Sequence, residues 1–229
     1  MSSGEILPIY EHFFTWQGEG THQGRSAYFI RTFGCPVHCP WCDSAGTWHK
    51  DYIPSDIEKL SISELLSVAE SHNPDFVVVT GGEPTIHNLN PLTQICYDKS
   101  LPVHLETSGA FEIKGNFDWI TLSPKQWKKP LKENIALANE IKIIVDSETA
   151  IQDWIDSYPE ILKTESVWLN PEWSKRNDPI ILDIITETVK QNGAPFRAGY
   201  QLHKLYHADQ KDANSRPNVP LGGNINRGL

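Results

Sequence analysis

A chain of 229 residues suits one domain, or one domain with a small insertion, and buries about 70% or more of its unfolded surface. Its 20 Lys and Arg against 29 Asp and Glu give a formal charge of −9, which argues against a partner with a phosphate backbone. No run approaches the length of a membrane-crossing helix, and Met1 to Glu5 lacks the basic-then-apolar pattern of an export signal, so the expected compartment is the cytoplasm.

In chain order, Ala27 to Thr32 is β-rich and leads directly into a cysteine-bearing loop. Ser61-Ile62-Ser63-Glu64 carries the capping-box pattern, and Ile62, Leu65, Leu66 and Ala69 follow at helical spacing. Phe76 to Thr80 is a continuous apolar run ending in Gly81-Gly82, which reads as a strand buried on both faces. Further strands are expected at Val103 to Thr107, Trp119 to Leu122, Ile141 to Val145, Val167 to Asn170 and Ala198 to Leu202. Helices are expected at Asn90 to Tyr97, Glu133 to Asn139, Thr149 to Ser157 and Ile180 to Gln191. This alternation argues for an α/β fold with a parallel sheet. The polar stretch from Asp209 to Leu229 reads as a loop or partly ordered tail on a single domain covering 1–229, with no role beyond dimer or lid contacts.

The polar motifs share one location. The cysteine loop, Gly81-Gly82-Glu83-Pro84, Glu106-Thr107-Ser108-Gly109, Ser123-Pro124-Lys125, and Gln201 with His203 each end or follow an expected strand. In a parallel sheet all of them lie at the carboxyl edge, where α/β folds place active sites. A Gly-Gly or a Ser-Pro alone is usually only a turn or a loop start.

Cys35, Cys39 and Cys42 form a CxxxCxxC run with Pro36 and Pro40 inside it. Thiolates are soft ligands that select iron–sulfur clusters, zinc or cuprous copper. Three thiolates on a four-iron cluster leave one iron open to a substrate or cofactor. Structural zinc, completed by His38 or His49, stays open on the triad alone. Four cysteines in a chain this long do not make a disulfide scaffold, and Cys96, within the apolar stretch Leu92 to Tyr97, reads as a buried residue.

The CxxxCxxC run, with Trp41 before its third cysteine, and the later Gly-Gly-Glu-Pro segment together resemble the radical S-adenosylmethionine (SAM) enzymes. Zinc coordination gives no reason for that second segment. Within the superfamily the chain resembles the 7-carboxy-7-deazaguanine synthases over nearly its whole length. The resemblance is carried by Trp16-Gln17-Gly18-Glu19-Gly20-Thr21, Gly24-Arg25, Phe29-Ile30-Arg31, Cys42-Asp43-Ser44, Thr47-Trp48 and Thr80 to Pro84. It continues through Glu106 to Gly109, Ser123 to Lys125, Glu140-Ile141-Lys142 and Gln201-Leu202-His203-Lys204. The fold so implied is an incomplete (β/α) barrel of the radical SAM type.

The resemblance implies a carbon–nitrogen lyase that contracts the ring of 6-carboxy-5,6,7,8-tetrahydropterin to 7-carboxy-7-deazaguanine with loss of ammonia, in queuosine biosynthesis. It implies a [4Fe–4S] cluster on Cys35, Cys39 and Cys42, with SAM contacted by Trp41, Gly82, Glu83, Ser123, Pro124 and Lys125. No side chain beyond the cofactor-derived radical is implied to be catalytic. Trp16, Gln17, Gly18, Arg31 and Thr80 are the implied substrate contacts, with Glu19, Glu106 and His203 as further candidates. Exposed carboxylates at Glu19 and Glu106, and an ordinary strand-end histidine at His203, are the plain alternatives. Ser44 stands where many relatives have threonine and is the implied Mg2+ ligand, a hydroxyl oxygen of suitable hardness. The implied partners are a flavodoxin-type reductant and a second copy of the chain, with neither nucleic acid nor membrane. A glycyl-radical activating enzyme shares both hallmarks but gives no reason for Gln17 to Gly20 or Ser123 to Lys125. A zinc- or cluster-bearing interaction domain without catalysis is the alternative from another class.

Overall fold

Nine strands form a single sheet in the computed structural model, which describes residues 6–216. In chain order they are β1 (Ile6–Trp16), β2 (Ser26–Thr32), β3 (Glu58–Ser61), β4 (Phe76–Gly81) and β5 (Val103–Thr107). They continue as β6 (Trp119–Leu122), β7 (Glu140–Val145), β8 (Ser166–Pro171) and β9 (Phe196–Ala198). Their spatial order is β3-β1-β2-β4-β5-β6-β7-β8-β9, so the barrel is not closed. Every pairing from β2 to β9 is parallel, whereas β1 is antiparallel to both neighbours. The helices are α1 (Ile62–Ser71), α2 (Asn90–Asp98), α3 (Lys132–Leu137), α4 (Ala150–Ser157), α5 (Pro179–Asn192) and α6 (Leu202–Tyr206).

The side-chain period of two along each strand decides what faces where. Ile30, Val77, Val79, Leu105 and Ile120 point to one face and pack with Ile62, Leu65, Leu66 and Leu92 from α1 and α2. Leu122, Ile141, Ile143, Val167 and Leu169 continue that face against Ile135, Ile151, Trp154, Ile181 and Ile185. Alternate residues face the opposite, concave side. By register these are Arg31, Thr80, Glu106, Thr121, Glu140 and Lys142. At the amino ends of the strands that side is apolar instead, with Phe13, Ala27, Phe29, Phe76 and Val78 clustered together. His104 stacks on Phe76 there, with ring centroids 3.9 Å apart, and His22 lies 4.6 Å from His104 and 4.5 Å from Trp119. This aromatic plug seals one end of the concave face and leaves the carboxyl end for polar chemistry.

The capping box of α1 is formed as expected: Glu64 N donates to Ser61 Oγ at 3.2 Å and Ser61 N donates to Glu64 Oε2 at 3.2 Å. Three expectations change. Strands β1 and β3 are additional, because β1 buries Glu11 only by pairing it with Arg31, and β3 is four residues long with Glu58 and Lys59 exposed. The last strand is β9 at Phe196–Ala198, not Ala198 to Leu202. Its ladder ends where Gly199 N donates to Leu169 O at 2.9 Å, and Leu202 N then turns to Gly18 O at 3.1 Å and opens α6. His203 therefore stands on a short helix and not at a strand end.

The first residues of the polar tail are ordered and strap β1. Asp212 Oδ2 accepts from Phe14 N at 3.1 Å, Arg216 N donates to Glu11 Oε2 at 2.5 Å, and the Arg216 guanidinium grips Asp56 at 3.1 and 3.0 Å. Residues 217–229 of that tail lie outside the described residues. Among the described residues no helix is long and apolar enough to cross a membrane.

Burial, with His22 and Arg25 nearby, pulls His104 from its ordinary 6.5 down to about 3. The unfolded chain binds this proton and the folded chain refuses it, so the folded state loses stability as pH falls through that window. We predict that His104→Phe, which keeps the stacking on Phe76, flattens the denaturant-midpoint profile between pH 6.5 and 3 relative to the unmodified protein. The removed slope is at most about 1.4 kcal/mol per pH unit. Parallel profiles for the two proteins would show that His104 does not carry this dependence.

Candidate active site

Three loops meet at the carboxyl edge of the sheet and hold one another. The cysteine loop leaves β2 and is pinned where Gly34 O accepts from Glu83 N at 2.9 Å. Contact this close requires glycine next door: a Cβ on Gly82 would lie 2.1 Å from Gly34 O and 3.1 Å from Cys35 Cβ. Glu83 is buried, and its carboxylate is spent on the next loop. It accepts from Thr107 Oγ1 at 2.6 Å, Ser108 N at 2.8 Å, Ser108 Oγ at 2.5 Å and Thr85 Oγ1 at 2.7 Å. The Ser-Pro-Lys loop closes from the other side. Trp127 Nε1 donates to Val37 O at 2.7 Å, and its ring meets Trp41 edge-on at 4.9 Å.

Cys35, Cys39 and Cys42 line the cavity beneath these loops, and none is in a disulfide. Burial pushes the Cys39 thiol up to about 11 and the Cys42 thiol up to about 12. Trp48 Nε1 donates to Cys42 Sγ at 3.5 Å. Soft cations displace thiol protons on binding, so the site charges as it fills. Among the described residues, no three His, Cys, Asp or Glu side chains are arranged to hold a single metal ion. A cubane takes each thiolate on a separate iron, and the three-thiol donor set fits one with an open corner. Cys96 lies buried between α2 and the sheet, away from this loop.

The Gln-Gly-Glu-Gly segment is the loop between β1 and β2, and it crosses the concave face to the far strands. Thr21 N donates to Glu140 Oε2 at 2.9 Å, while Thr121 Oγ1 donates to Glu140 Oε1 at 2.8 Å. Glu19 is not an exposed carboxylate: its side chain is 10% exposed and pairs with Lys142 at 2.9 Å. It also accepts from Asn170 Nδ2 at 2.9 Å and Gln201 Nε2 at 3.0 Å. Burial alone would raise its pKa, but Lys142, His203 and the Gln201 hydrogen bond outweigh that and hold it at about 2. Glu106 is half-buried and accepts from Gln17 Nε2 at 2.8 Å. His203 packs directly over Gly18, where a Cβ would meet its Nδ1 at 2.3 Å.

Two more pairs flank this network. Arg31 Nε donates to Glu11 Oε1 at 2.7 Å and its NH1 to Gly81 O at 3.1 Å. Asp43 pairs with Lys204 at 2.9 Å, which together with Arg31 and His203 holds its carboxyl well below the usual range despite burial. Ser44 Oγ donates to Asp43 Oδ1 at 3.2 Å and is not spent on capping the turn that follows. Its oxygen keeps lone pairs for a hard cation, so the residue fits the Mg2+ role. Lys125 Nζ donates to Ser123 O and, at 2.8 Å, to Ser123 Oγ, and burial lowers its pKa.

The cavity wall brings together Trp16, Gln17, Gly18, Glu19, Arg31, Trp41, Ser44, Thr80, Gly82, Glu83, Glu106, Ser123, Lys125 and His203. Pro124 is buried behind the wall and not part of it. The wall also holds Asp43, Lys142, Gln201 and Lys204, which sit inside the quoted motifs but draw attention only once their ion pairs and hydrogen bonds are seen. Trp173 lines it too, with no signal in the sequence.

Comparison with known proteins agrees with this geometry. A family described as "4Fe-4S single cluster domain" matches residues 16–153. A 7-carboxy-7-deazaguanine synthase from Synechocystis sp. is 40% identical over 200 residues, covering 86% of this chain and 91% of the relative. The enzyme of that name from Flavobacterium psychrophilum is 36% identical, covering 89% and 93%. The crystal structure of QueE from Escherichia coli superposes with a TM-score of 0.73 at 32% identity, covering 86% of this chain and 95% of that one. Likeness of this extent in both sequence and fold has one consequence: the chain belongs to the 7-carboxy-7-deazaguanine synthase family of radical SAM enzymes.

Proposed function

We propose that the protein is a carbon–nitrogen lyase that converts 6-carboxy-5,6,7,8-tetrahydropterin to 7-carboxy-7-deazaguanine with loss of ammonia. It would act in the cytoplasm as a homodimer, reduced by a flavodoxin-type protein, within queuosine biosynthesis. The observation that carries this reading is the meeting of three reduced thiols and a wall of paired charges in one cavity. When bound, a [4Fe–4S] cluster on Cys35, Cys39 and Cys42 together with SAM supplies an electron and a hydrogen-abstracting 5′-deoxyadenosyl group.

The chain's own residues bind and orient. Gly82, held down on Gly34, offers backbone to the methionine portion of SAM, with Trp41, Ser123 and Lys125 around the rest. Glu83 acts in the wall as a clamp on β5, and Pro124 supports the Ser-Pro-Lys loop from behind it. Opposite them, Glu106, Gln17, Glu19 and Thr80 present acceptors and donors to the edge of a flat heterocycle. Trp16, set edge-on to Tyr206 at 5.5 Å, gives that ring an apolar wall, and His203 over Gly18 bounds it. The substrate carboxylate would meet Arg31 and an Mg2+ held by Ser44, an ion that orients and does not change redox state. The decisive experiment is product analysis by mass spectrometry after anaerobic reconstitution with the tetrahydropterin. Absence of the deazaguanine acid would reject the reading.

Each of Cys35→Ala, Cys39→Ala and Cys42→Ala is predicted to lose cluster iron and SAM cleavage, because two thiolates do not hold the cluster. Cys96→Ala should keep both, with only a small packing cost. Iron content of the four variants checks this, and iron loss confined to Cys96→Ala would reverse the ligand assignment.

Arg31→Lys keeps charge but loses the planar fork that reaches Glu11 and Gly81 together. A lost charge-assisted contact is worth about 1.5–3 kcal/mol, so kcat/KM should fall roughly 10- to 100-fold. Unaltered kinetics would remove Arg31 from substrate binding.

Ser44→Ala should weaken the magnesium stimulation of turnover while SAM cleavage survives uncoupled, and Ser44→Thr should retain the stimulation. Turnover against magnesium concentration is the test. Superimposable curves for Ser44→Ala and the unmodified protein would mean this hydroxyl is no metal ligand.

A further inference from the structure

Although the chain carries a net charge of −9, residues 123–132 hold four lysines and no acid. Lys125 points into the cavity wall, whereas Lys128, Lys129 and Lys132 are exposed. Lys132 is partly answered by Glu160 at 3.8 Å, and Glu133 adjoins it. Lys128 sits over the Phe111 ring at 5.2 Å, and neither it nor Lys129 has a carboxylate within ion-pair distance among the described residues. Between the lysines stands Trp127, 44% exposed, an unusual amount of surface for the largest side chain. The same indole donates to Val37 O at 2.7 Å, two residues from both Cys35 and Cys39, and touches Trp41, which adjoins Cys42. Trp127 thus joins the outer surface to the cysteine loop at two points.

We propose that Trp127, Lys128 and Lys129 form the docking surface for an acidic one-electron carrier protein of the flavodoxin type, seated against the cysteine loop. The proposal rests on the cluster reading above. A cluster on this loop must be reduced by one electron from outside before SAM is first cleaved, and again whenever that electron is lost from the cycle. That electron leaves the reduced flavin of the carrier and enters the oxidised cluster, with no bond made or broken in the step. The occupant follows from charge: the net charge of −9 disfavours an acidic partner over the rest of the surface, and the local positive patch steers it to this point. A patch of this size suits a brief encounter, since electron-transfer complexes bury the smallest interfaces, under about 1,200 Å² in total. Exposed aromatic and cationic side chains side by side are also the usual make-up of an interface centre and its rim.

The test is Lys128→Glu combined with Lys129→Glu, with Lys190→Glu on α5 as a distant charge control. Oxidised flavodoxin is titrated into the cluster-free protein by calorimetry at low and high ionic strength. SAM cleavage by the reconstituted protein is then driven either by reduced flavodoxin or by dithionite. The double variant should bind flavodoxin at least tenfold more weakly at low salt, lose most of the salt dependence, and lose flavodoxin-driven cleavage in proportion. Dithionite-driven cleavage should match the unmodified protein, and Lys190→Glu should change nothing. Equal flavodoxin affinity in the double variant and the unmodified protein would overturn the proposal, as would equal loss of flavodoxin- and dithionite-driven cleavage. If the unmodified protein fails to cleave SAM even with dithionite, the cluster reading falls, and the titration on cluster-free protein still decides the surface.

Discussion

The hydrogen bond from Glu83 N to the Gly34 carbonyl, 2.9 Å long, is the joint on which the site depends. It presses the loop after β4 against the cysteine loop after β2, and only an unsubstituted Gly82 lets the two backbones meet. Glu83 then reaches to Thr107 and Ser108, tying in the loop after β5. A buried carboxylate is costly unless its lone pairs are filled, and here hydroxyls and backbone N–H groups fill them. Three loops are therefore tied into one rim that carries the cysteine loop.

Below the rim the concave face is crowded with charge, and the charges are matched. Glu19 faces Lys142, Arg31 faces Glu11, and Asp43 faces Lys204. Pairing keeps Glu19, Asp43 and Lys142 ionised where burial alone would neutralise them, which is why Glu19 stays at about 2. It also means that the resident cations are already largely compensated. Lys125, held among the described residues by Ser123 alone, is the exception among the wall's lysines; beside Ser44 an entering carboxylate meets only cations already paired, unless a pair opens or a cation is added. The proposed Mg2+ on Ser44 answers that electrostatic need in a way that one more lysine, needing its own partner in the free protein, does not.

The open sheet is closed by parts that are not strands. The loop between β1 and β2 crosses the concave face to Glu140 and Asn170, the aromatic plug of Phe76 and His104 fills the amino end, and α6 stands over Gly18. At the edge of the cavity, residues 208–216 strap β1, and Arg216 N donates to the same Glu11 that holds Arg31. Arg31 is thus fixed from both sides, by the sheet that carries it and by a segment nearly two hundred residues away in sequence.

Much of this was legible without coordinates, for local reasons. The apolar run Phe76 to Val79, the Ser61–Glu64 cap and the helical spacing after it depend on near neighbours, so their pattern alone located them. The cysteine spacing and the Gly-Gly-Glu-Pro segment identified the chemistry because both are short and lie on single loops. What sequence could not decide was anything requiring partners from afar. β1 does not read as a strand because its buried Glu11 is acceptable only with Arg31 in place. Glu19 reads as an exposed acid until Lys142, Asn170 and Gln201 converge on it. The segment Ala198 to Leu202 reads as a strand, yet the ladder stops at Ala198, and Leu202 bonds instead to Gly18 on the opposite wall. Local propensity and motif named the elements and the chemistry; long-range burial of charge, which has no local signature, determined how the cavity is built.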